Sequence, residues 1–265
     1  MSVFLPVAVE AARTAGKLLR ESLGGSHRIS YKGTPTNLVT EMDRRAETLI
    51  VERLLQTFPD HGVLGEEGGA RPGPSEYRWL IDPLDGTTNY THGLPVFAVS
   101  IALERAGLVE LGVVYDPNLD ECFVAERGAG ATLNGGPIQV SATRDLSESL
   151  LATGFPYNIR TTAETNLSEY AALSLRSRGV RRIGSAALDL SYVGAGRFDG
   201  YWELMLGPWD MAAGGLIVQE AGGRVTDLQA GPWRLDGPGV LASNGHIHDA
   251  VRDVLAAVGR GKPTT

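Results

Sequence analysis

The sequence predicts a mixed α/β protein built in two halves, and three features carry that prediction. Residues 1–140 begin with two long stretches of helical periodicity and continue as apolar runs joined by tight turns, an α+β pattern of helices on an antiparallel-rich sheet. Residues 141–265 alternate short apolar runs with helical segments, which favours an α/β layer architecture. No repeat, low-complexity segment or flexible linker separates the halves, so they are expected to pack tightly as one unit.

In the first half, Phe4, Val7, Ala8, Ala11, Ala15, Leu18 and Leu19 recur at helical spacing, with Pro6 suited to a first turn and Gly24-Gly25 as the stop. Ser30–Asn37 reads as a polar loop containing Lys32, Gly33 and Pro35. A second helix is expected from about Thr40 to Phe58, ending before Pro59, with Thr40 and Asp43 placed as a capping pair. A short strand falls within His61–Gly69, and Trp79-Leu80-Ile81 is a buried strand that should stop at Asp82. Val96–Leu103 and Leu108–Tyr115 form strands joined through Arg105-Ala106-Gly107, followed by strands at Cys122–Glu126 and Ala131–Leu133 and a tight turn at Asn134-Gly135-Gly136.

In the second half, strands are expected at Ser149–Thr153, Arg181–Ile183, Phe198–Leu204, Val225–Leu228 and Val240–Ser243. Helices are expected at Thr161–Leu175, from Ser185 to about Val193, at Pro208–Ala221 before Gly222-Gly223, and at His248–Val258. The five histidines, His246 and His248 among them, read as surface residues.

Composition narrows the function classes. A chain of 265 residues, 43% hydrophobic and 21% charged, can bury a substantial core. A formal net charge of -7 gives no general attraction to nucleic acid or anionic membrane, so an anionic substrate must be attracted locally. The single cysteine, Cys122, rules out an intrachain disulfide and fits a reducing compartment. Charges interrupt the N-terminal apolar positions, as they would not in a signal peptide, and the longest uncharged stretch, Gly86–Leu103, carries Gly, Pro, Asn and His. A cytoplasmic protein without a membrane partner is expected.

The chemistry concentrates in Trp79–Tyr90, Trp-Leu-Ile-Asp-Pro-Leu-Asp-Gly-Thr-Thr-Asn-Tyr. Two carboxylates, Asp82 and Asp85, stand three residues apart, and Gly86, Thr87 and Thr88 follow at a turn into a helix. Carboxylates suit a hard cation, and backbone N–H groups at a helix start suit an anion. Together they suit a phosphate ester carried on metal ions. A simple turn explains the Asp-Pro and Asp-Gly pairs singly but not the apolar lead-in and the threonine exit together. An aspartyl-phosphate route is disfavoured because Pro83 occupies the place of its second aspartate. Gly65-Glu66-Glu67-Gly68-Gly69 and Pro208-Trp209-Asp210-Met211-Ala212-Ala213-Gly214 each read blandly alone, as an acidic loop and a helix start. Burying Glu66, Asp82, Asp85 and Asp210 together without cations would be very costly, and metal ions would make the cluster tolerable.

Through those strings, Lys32…Asn37–Asp43 and Gly184-Ser185-Ala186-Ala187, nearly the whole chain resembles the inositol monophosphatase family of Mg2+-dependent, lithium-sensitive phosphatases. The bacterial branch matches best, through Ala187-Leu188-Asp189-Leu190 and Phe198–Glu203. The resemblance implies a layered αβαβα sandwich and metal-assisted hydrolysis. Glu66, Asp82 and the Leu84 carbonyl would hold one Mg2+, and Asp82, Asp85 and Asp210 a second, with Glu66 reaching a third, weaker ion through water. Glu67 would orient a water at the metal, Asp43 and Thr87 would position and deprotonate the attacking water, and Gly86, Thr87 and Thr88 would take phosphate oxygens. Asp85, the Ala186 backbone, Glu203 and Asp210 would meet the substrate, a small phosphorylated polyol or sugar such as inositol 1-phosphate. Lys32 reads either as a loop cation or as a neighbour of the metal-free acidic site, and Glu203 either as a substrate contact or as an exposed strand-end charge. The resemblance also implies a homodimer. Gly154–Asn158 falls where family members differ, so substrate choice does not carry over there. Fructose-1,6-bisphosphatase, histidinol-phosphate phosphatase and nucleotide 3′-phosphatase activities remain alternatives within the same fold. So does a role outside catalysis, as a partner in an RNA or transcription complex, which the acidic composition and the intact carboxylate set disfavour.

Overall fold

The computed structural model describes residues 2–25, 28–32, 34 and 37–260. The N-terminal stripe forms helix α1 (Phe4–Ser22), which buries Val7, Ala8, Ala11, Ala15 and Leu19. Strand β1 (Ile29–Tyr31) takes the first two residues of the stretch expected to be loop and pairs antiparallel with β2 (Leu38–Thr40), which begins just past its end. Their few residues carry no alternation long enough to announce a strand; Gly33, Pro35 and His27 lie outside the described residues. Helix α2 (Glu41–Thr57) starts on a capping box in which the Thr40 hydroxyl accepts from Met42 N–H and the Asp43 carboxylate accepts from Thr40 N–H.

Next come β3 (Gly62–Gly65), β4 (Gly69–Arg71), β5 (Tyr77–Asp85), the one-turn helix α3 (Thr87–Thr91), β6 (Ala98–Arg105), β7 (Leu108–Asp116), β8 (Glu121–Glu126), β9 (Gly130–Leu133) and β10 (Gly136–Pro137). These strands form an eight-stranded sheet in the order β10-β9-β8-β7-β6-β5-β3-β4, antiparallel except where β3 runs parallel to β5. Strand β5 does not stop at Asp82. It runs on to Asp85 with an irregularity: Asp82 pairs with Ser100 and Asp85 with Ala98, leaving Pro83 and Leu84 opposite Val99 alone. Pro83 has no N–H to give a ladder, so the extra residue is accommodated there as a bulge.

The second half gives β11 (Leu150–Thr153), α4 (Leu167–Ser174), β12 (Gly179–Arg181), α5 (Ala186–Gly194), β13 (Gly200–Leu204), α6 (Pro208–Glu220), β14 (Arg224–Thr226), β15 (Gly239–Ser243) and α7 (His248–Arg260). Its five strands order as β12-β11-β13-β15-β14, with β11 parallel to both neighbours. Helix α4 is far shorter than the expected Thr161–Leu175. Asn166 sits just before it at φ 64°, with its amide bonded to Thr153 Oγ1 and the Gly154 carbonyl and its Oδ1 accepting from Trp202 Nε1. That clamp fixes the chain in a left-handed conformation that no helix continues through. Strand β12 ends at Arg181, two residues before the expected limit.

Side-chain alternation stacks these elements into five layers. Trp79 and Ile81 of β5 pack with α1 and α2, while Leu80 between them packs with Ala187, Ala213 and Leu216 of α5 and α6. In the smaller sheet, Ala152, Tyr201, Val240 and Ala242 face α5 and α6, while Leu151, Trp202 and Leu241 face Leu173 of α4 and Val251 and Leu255 of α7. The order is therefore α1/α2, large sheet, α5/α6, small sheet, α4/α7: the αβαβα sandwich. No described helix is long and apolar enough to cross a membrane.

Two histidines correct the surface reading. His248 is fully buried at the start of α7, with Thr226 Oγ1 2.9 Å from Nε2 and Ser243 Oγ 2.8 Å from Nδ1. His61 is buried in an aromatic stack between Phe58 and Tyr77. His248 is held by hydroxyls of β14 and β15 and His61 by aromatic rings from α2's end and β5, contacts which local polarity does not reveal. His92 and His246 are exposed.

Candidate active site

The site gathers at the ends of β3 and β5, over the start of α6. Asp82 follows Leu80 by two residues and emerges on the face that α6 covers, where Asp210 stands in the first turn of that helix. The Ser100 hydroxyl on β6 donates to the Trp209 carbonyl and ties this turn to the large sheet. Glu66 arrives from the loop after β3, its N–H bonded to the Ile81 carbonyl. One oxygen from each of Glu66, Asp82 and Asp210 falls within 4.8 Å of the others.

The two aspartates are held from below. Asp82 Oδ1 accepts from Leu84 N–H at 2.9 Å, and Asp210 Oδ2 caps α6 by accepting from Gly207 N–H at 2.6 Å. Burial, then the repulsion of Glu66, pushes both Asp82 and Asp210 well above the usual carboxylate range. Three oxygen donors so close, two of them on aspartates that hold their protons unusually firmly, fit a hard divalent cation. Lys32 is the cation that the structure itself brings, with Nζ 2.9 Å from Glu66 Oε1 and also bonded to Glu67. Burial opposes its charge, yet the two glutamates hold it above the ordinary lysine value. The loop-cation reading of Lys32 is set aside: it lies on the acidic site.

Asp85 faces the same cleft, but its Oδ2 is engaged across the halves, accepting from Ser185 Oγ at 2.6 Å and from Ala187 N–H at 2.7 Å. Burial raises it to about 6 against those hydrogen bonds. It is not one of the tight trio, although it borders the cleft with Asp210. The Leu84 carbonyl accepts from Thr87 Oγ1 at 3.1 Å.

Beside the trio lies a second constellation. Thr87 Oγ1 is 2.9 Å from Asp43 Oδ1, and Asp43 Oδ2 takes both the hydroxyl (2.6 Å) and the N–H (2.8 Å) of Thr40. Asp43 is thus pinned through both oxygens and has a threonine hydroxyl on its cleft side. Burial raises its carboxyl above the ordinary aspartate value despite these bonds. Glu67 is raised to about 7 by burial, with Lys32 pulling the other way.

Gly86 opens α3 at φ 100°, and a Cβ there would lie 2.9 Å from the Val96 carbonyl, so only glycine makes this turn. It brings Gly86, Thr87 and Thr88 together at the start of a single helical turn. Asn89 Nδ2 reaches the carbonyls of Val96 and Ile183, joining that turn to the segment before α5.

Across the cleft, Ala186 begins α5, and Glu203 is the penultimate residue of β13. The Glu203 carboxylate is half-buried, accepts from the Tyr201 hydroxyl, and is raised to about 7 by burial. It lies over Gly154, where a Cβ would come within 2.1 Å of Glu203 Oε2. The exposed strand-end reading of Glu203 is therefore wrong. The cleft, bordered by Asp85, Thr88, Gly154, Ser185, Glu203 and Asp210, encloses about 610 Å³ of free space including its mouth, a size suited to a small ligand.

The family model described as "Inositol monophosphatase family" matches residues 1–259. The chain belongs to the inositol monophosphatase family. Among its relatives, an inositol-1-monophosphatase of Rhizobium meliloti is 45% identical over 257 residues, covering 96% of both chains. A Nus factor SuhB of Pseudomonas aeruginosa is 46% identical over 250 residues, covering 92% of each. The solved inositol monophosphatase of Anabaena (Nostoc) sp. PCC 7120 superposes with a TM-score of 0.88 at 45% identity, over 96% of this chain and 95% of that one. The family match and these names support phosphatase function.

Within this inositol monophosphatase family member, some site residues escaped the sequence reading. Glu47, one helical turn after Asp43, accepts the Glu67 N–H at 3.0 Å and braces the acidic loop. Its signal was an acid on the buried face of α2, in line with Ala46, Ile50 and Leu54. Ser185 stands in a string of small residues with no local sign of a role, yet its hydroxyl both donates to Asp85 and caps α5. Asp189 is an acid inside a helix whose residues are otherwise apolar or small.

Proposed function

We propose that this chain is a Mg2+-dependent phosphomonoesterase whose preferred substrate is inositol 1-phosphate or a related phosphorylated cyclic polyol. The observation that carries the reading is the adjacency of the Glu66/Asp82/Asp210 trio to the Asp43–Thr87 pair, cation site beside proton acceptor. Glu66, Asp82 and the Leu84 carbonyl would hold one Mg2+, Asp82, Asp85 and Asp210 a second, and Glu66 a third, weaker ion. When bound, the ions would neutralise phosphate charge and stabilise the entering and leaving oxygens of an in-line displacement.

The chain's own groups do the rest. Thr87 Oγ1 hands its hydrogen towards Asp43 Oδ1, which leaves its lone pairs free to hold a water in the cleft. Asp43, raised by burial, takes the proton that the attacking water sheds through Thr87. Glu67 orients a further water, with Glu47 fixing its backbone. The N–H groups of Gly86 and Thr87 and the hydroxyl of Thr88 receive phosphate oxygens. Asp85, Ala186 N–H, Asp210 and Glu203 meet the hydroxyls of the alcohol portion. Lithium sensitivity, a homodimer and a cytoplasmic location belong to the same reading.

The test is phosphate release from inositol phosphates, fructose 1,6-bisphosphate, histidinol phosphate and adenosine 3′,5′-bisphosphate, with and without Mg2+ and lithium. The reading expects Mg2+-dependent, lithium-inhibited release, fastest from inositol 1-phosphate. A second reading, a partner in a transcription complex, draws on the relative named Nus factor SuhB. Absence of release from every ester would move the weight to it.

A further inference from the structure

Tyr157 belongs to none of the groups assigned above, yet it borders the same cleft as Gly86, Thr88 and Asp210. It stands in Gly154–Asn158, the stretch to which the family resemblance carries no role. The structure fixes this stretch on both sides of the tyrosine. The Gly154 carbonyl accepts from Asn166 Nδ2 at 2.6 Å, the Phe155 ring packs on that of Tyr170 with centroids 5.8 Å apart, and Pro156 is buried. Just beyond, Ile159 N–H donates to the Pro156 carbonyl, and the N–H groups of Thr161 and Thr162 donate to that of Asn158. Tyr157 is therefore presented from a turn closed by hydrogen bonds.

The two ends of the side chain meet different surroundings. Tyr157 is 50% exposed, but its hydroxyl is enclosed: burial holds it well above the usual phenol value, and the charges of Asp210, Glu66, Asp85 and Asp82 push the same way. The ring thus lies across the cleft mouth with its polar end turned inward, the use an amphipathic aromatic side chain is suited to.

The cleft is short of such a group. Asp85, Asp189, Glu203 and Asp210 all border it, and Ser185 already gives its hydroxyl hydrogen to Asp85. The phosphoryl end of an ester brings only more acceptor oxygens, and a hydrogen bond to a charged oxygen is among the strong ones. A phenol that keeps its hydrogen supplies a donor to meet them. Gly86–Thr88 follow β5 in the large-sheet half, whereas Tyr157 follows β11 in the other half. A phosphoryl group between them is gripped from both halves.

We propose that Tyr157 is a phosphate-binding residue, its hydroxyl donating to a phosphoryl oxygen of the bound ester and closing the cradle that Gly86–Thr88 begin. This rests on the phosphatase reading and adds to it a contact common to every ester the site accepts.

The experiment uses Tyr157→Phe, which keeps the ring over the cleft mouth and removes only the hydroxyl. In wild type and variant it measures kcat and KM for inositol 1-phosphate and for glycerol 2-phosphate, which has no ring. It also measures inhibition by inorganic phosphate and the rise in melting temperature on adding Mg2+. The variant should show KM raised about tenfold for both esters and phosphate inhibition weakened by a similar factor, with kcat changed much less and the Mg2+ shift unchanged. Unchanged KM and phosphate inhibition would overturn the proposal. So would a loss confined to the inositol ester, which puts the hydroxyl on the alcohol portion, or a reduced Mg2+ shift with a fall in kcat, which puts it on the carboxylates. No release from either ester by wild type would overturn the phosphatase reading, and this proposal with it.

Discussion

Replacing Asp210 by asparagine should stabilise the metal-free protein while weakening its response to Mg2+. The three donor oxygens lie within 4.8 Å of one another. At that separation and an effective dielectric of about 20, each ionised pair repels by roughly 3 kcal/mol. Three ionised pairs would approach the whole stability of a domain, about 5–15 kcal/mol. Without a divalent cation that repulsion is relieved by protons on the aspartates, and burial and Glu66 hold Asp82 and Asp210 well above the ordinary range. A carboxyl raised in the folded state binds more protons folded than unfolded. Its stabilising contribution is complete below the unfolded value of about 4 and is lost as pH rises through the folded value. Metal-free wild type should accordingly be less stable at about pH 8 than at about pH 5 through Asp82 and Asp210.

Asparagine at 210 removes two of the three repulsive pairs and keeps an oxygen for the Gly207 N–H that caps α6. The metal-free variant should be more stable than wild type at about pH 8 by up to about 3 kcal/mol, one pair's worth, because wild type already sheds the remainder by holding a proton. For a chain of this size that is a rise in Tm of roughly 5–10 °C. Thermal unfolding followed by circular dichroism, in chelator and in excess Mg2+ at both pH values, reads it directly. Mg2+ should raise the wild-type Tm at the higher pH and that of the variant much less. Equal Mg2+ shifts in the two proteins, or a metal-free variant no more stable than wild type at high pH, would refute the reasoning.

Other consequences follow from single contacts. Gly154→Ala places a Cβ where Glu203 Oε2 lies, only 2.1 Å away, so Glu203 must move and KM for inositol 1-phosphate should rise by about tenfold, with the loss smaller for glycerol 2-phosphate. Asp43→Asn removes the acceptor behind Thr87 and should lower kcat by about 10²–10⁴ with KM little changed, measured by steady-state phosphate release. Burial holds His248 down to about 4, below an unfolded value of about 6.5. A basic group depressed in this way stabilises above the unfolded value and stops doing so as pH falls to the folded one. Relative to His248→Gln, wild type should lose about 3 kcal/mol between about pH 6.5 and pH 4, as read by urea unfolding.

What the sequence made legible was whatever lies in a continuous string. Asp82, Asp85 and Gly86–Thr88 share one strand-turn segment, and the Thr40–Asp43 cap is a four-residue pattern, so both could be placed before any fold was known. The αβαβα layer order came from the family resemblance, and the structure gives its physical basis in alternation such as Trp79 and Ile81 against Leu80. The failures share a different cause. Asn166 interrupts a helical pattern because of partners on β11 and β13, and His248 is buried by hydroxyls from Thr226 and Ser243. Ser185 meets Asp85 across 100 residues of chain. In each case a tertiary contact overrides a local preference, and one sequence carries no record of that contact. Glu47 and Asp189 are intermediate: an acid set in an otherwise buried helical face is a visible anomaly, but only the fold shows what it faces.

The central claim is that the carboxylate trio supports ester hydrolysis by holding metal. Its most direct test is kcat/KM for inositol 1-phosphate in wild type and Asp82→Asn, each stripped with chelator and then titrated with Mg2+. Wild type should be inactive when stripped and regain activity as Mg2+ is added, while Asp82→Asn should stay at least about 10³-fold lower at any Mg2+ concentration. Hydrolysis that persists in the stripped wild type, or an Asp82→Asn protein with near wild-type activity, would contradict it.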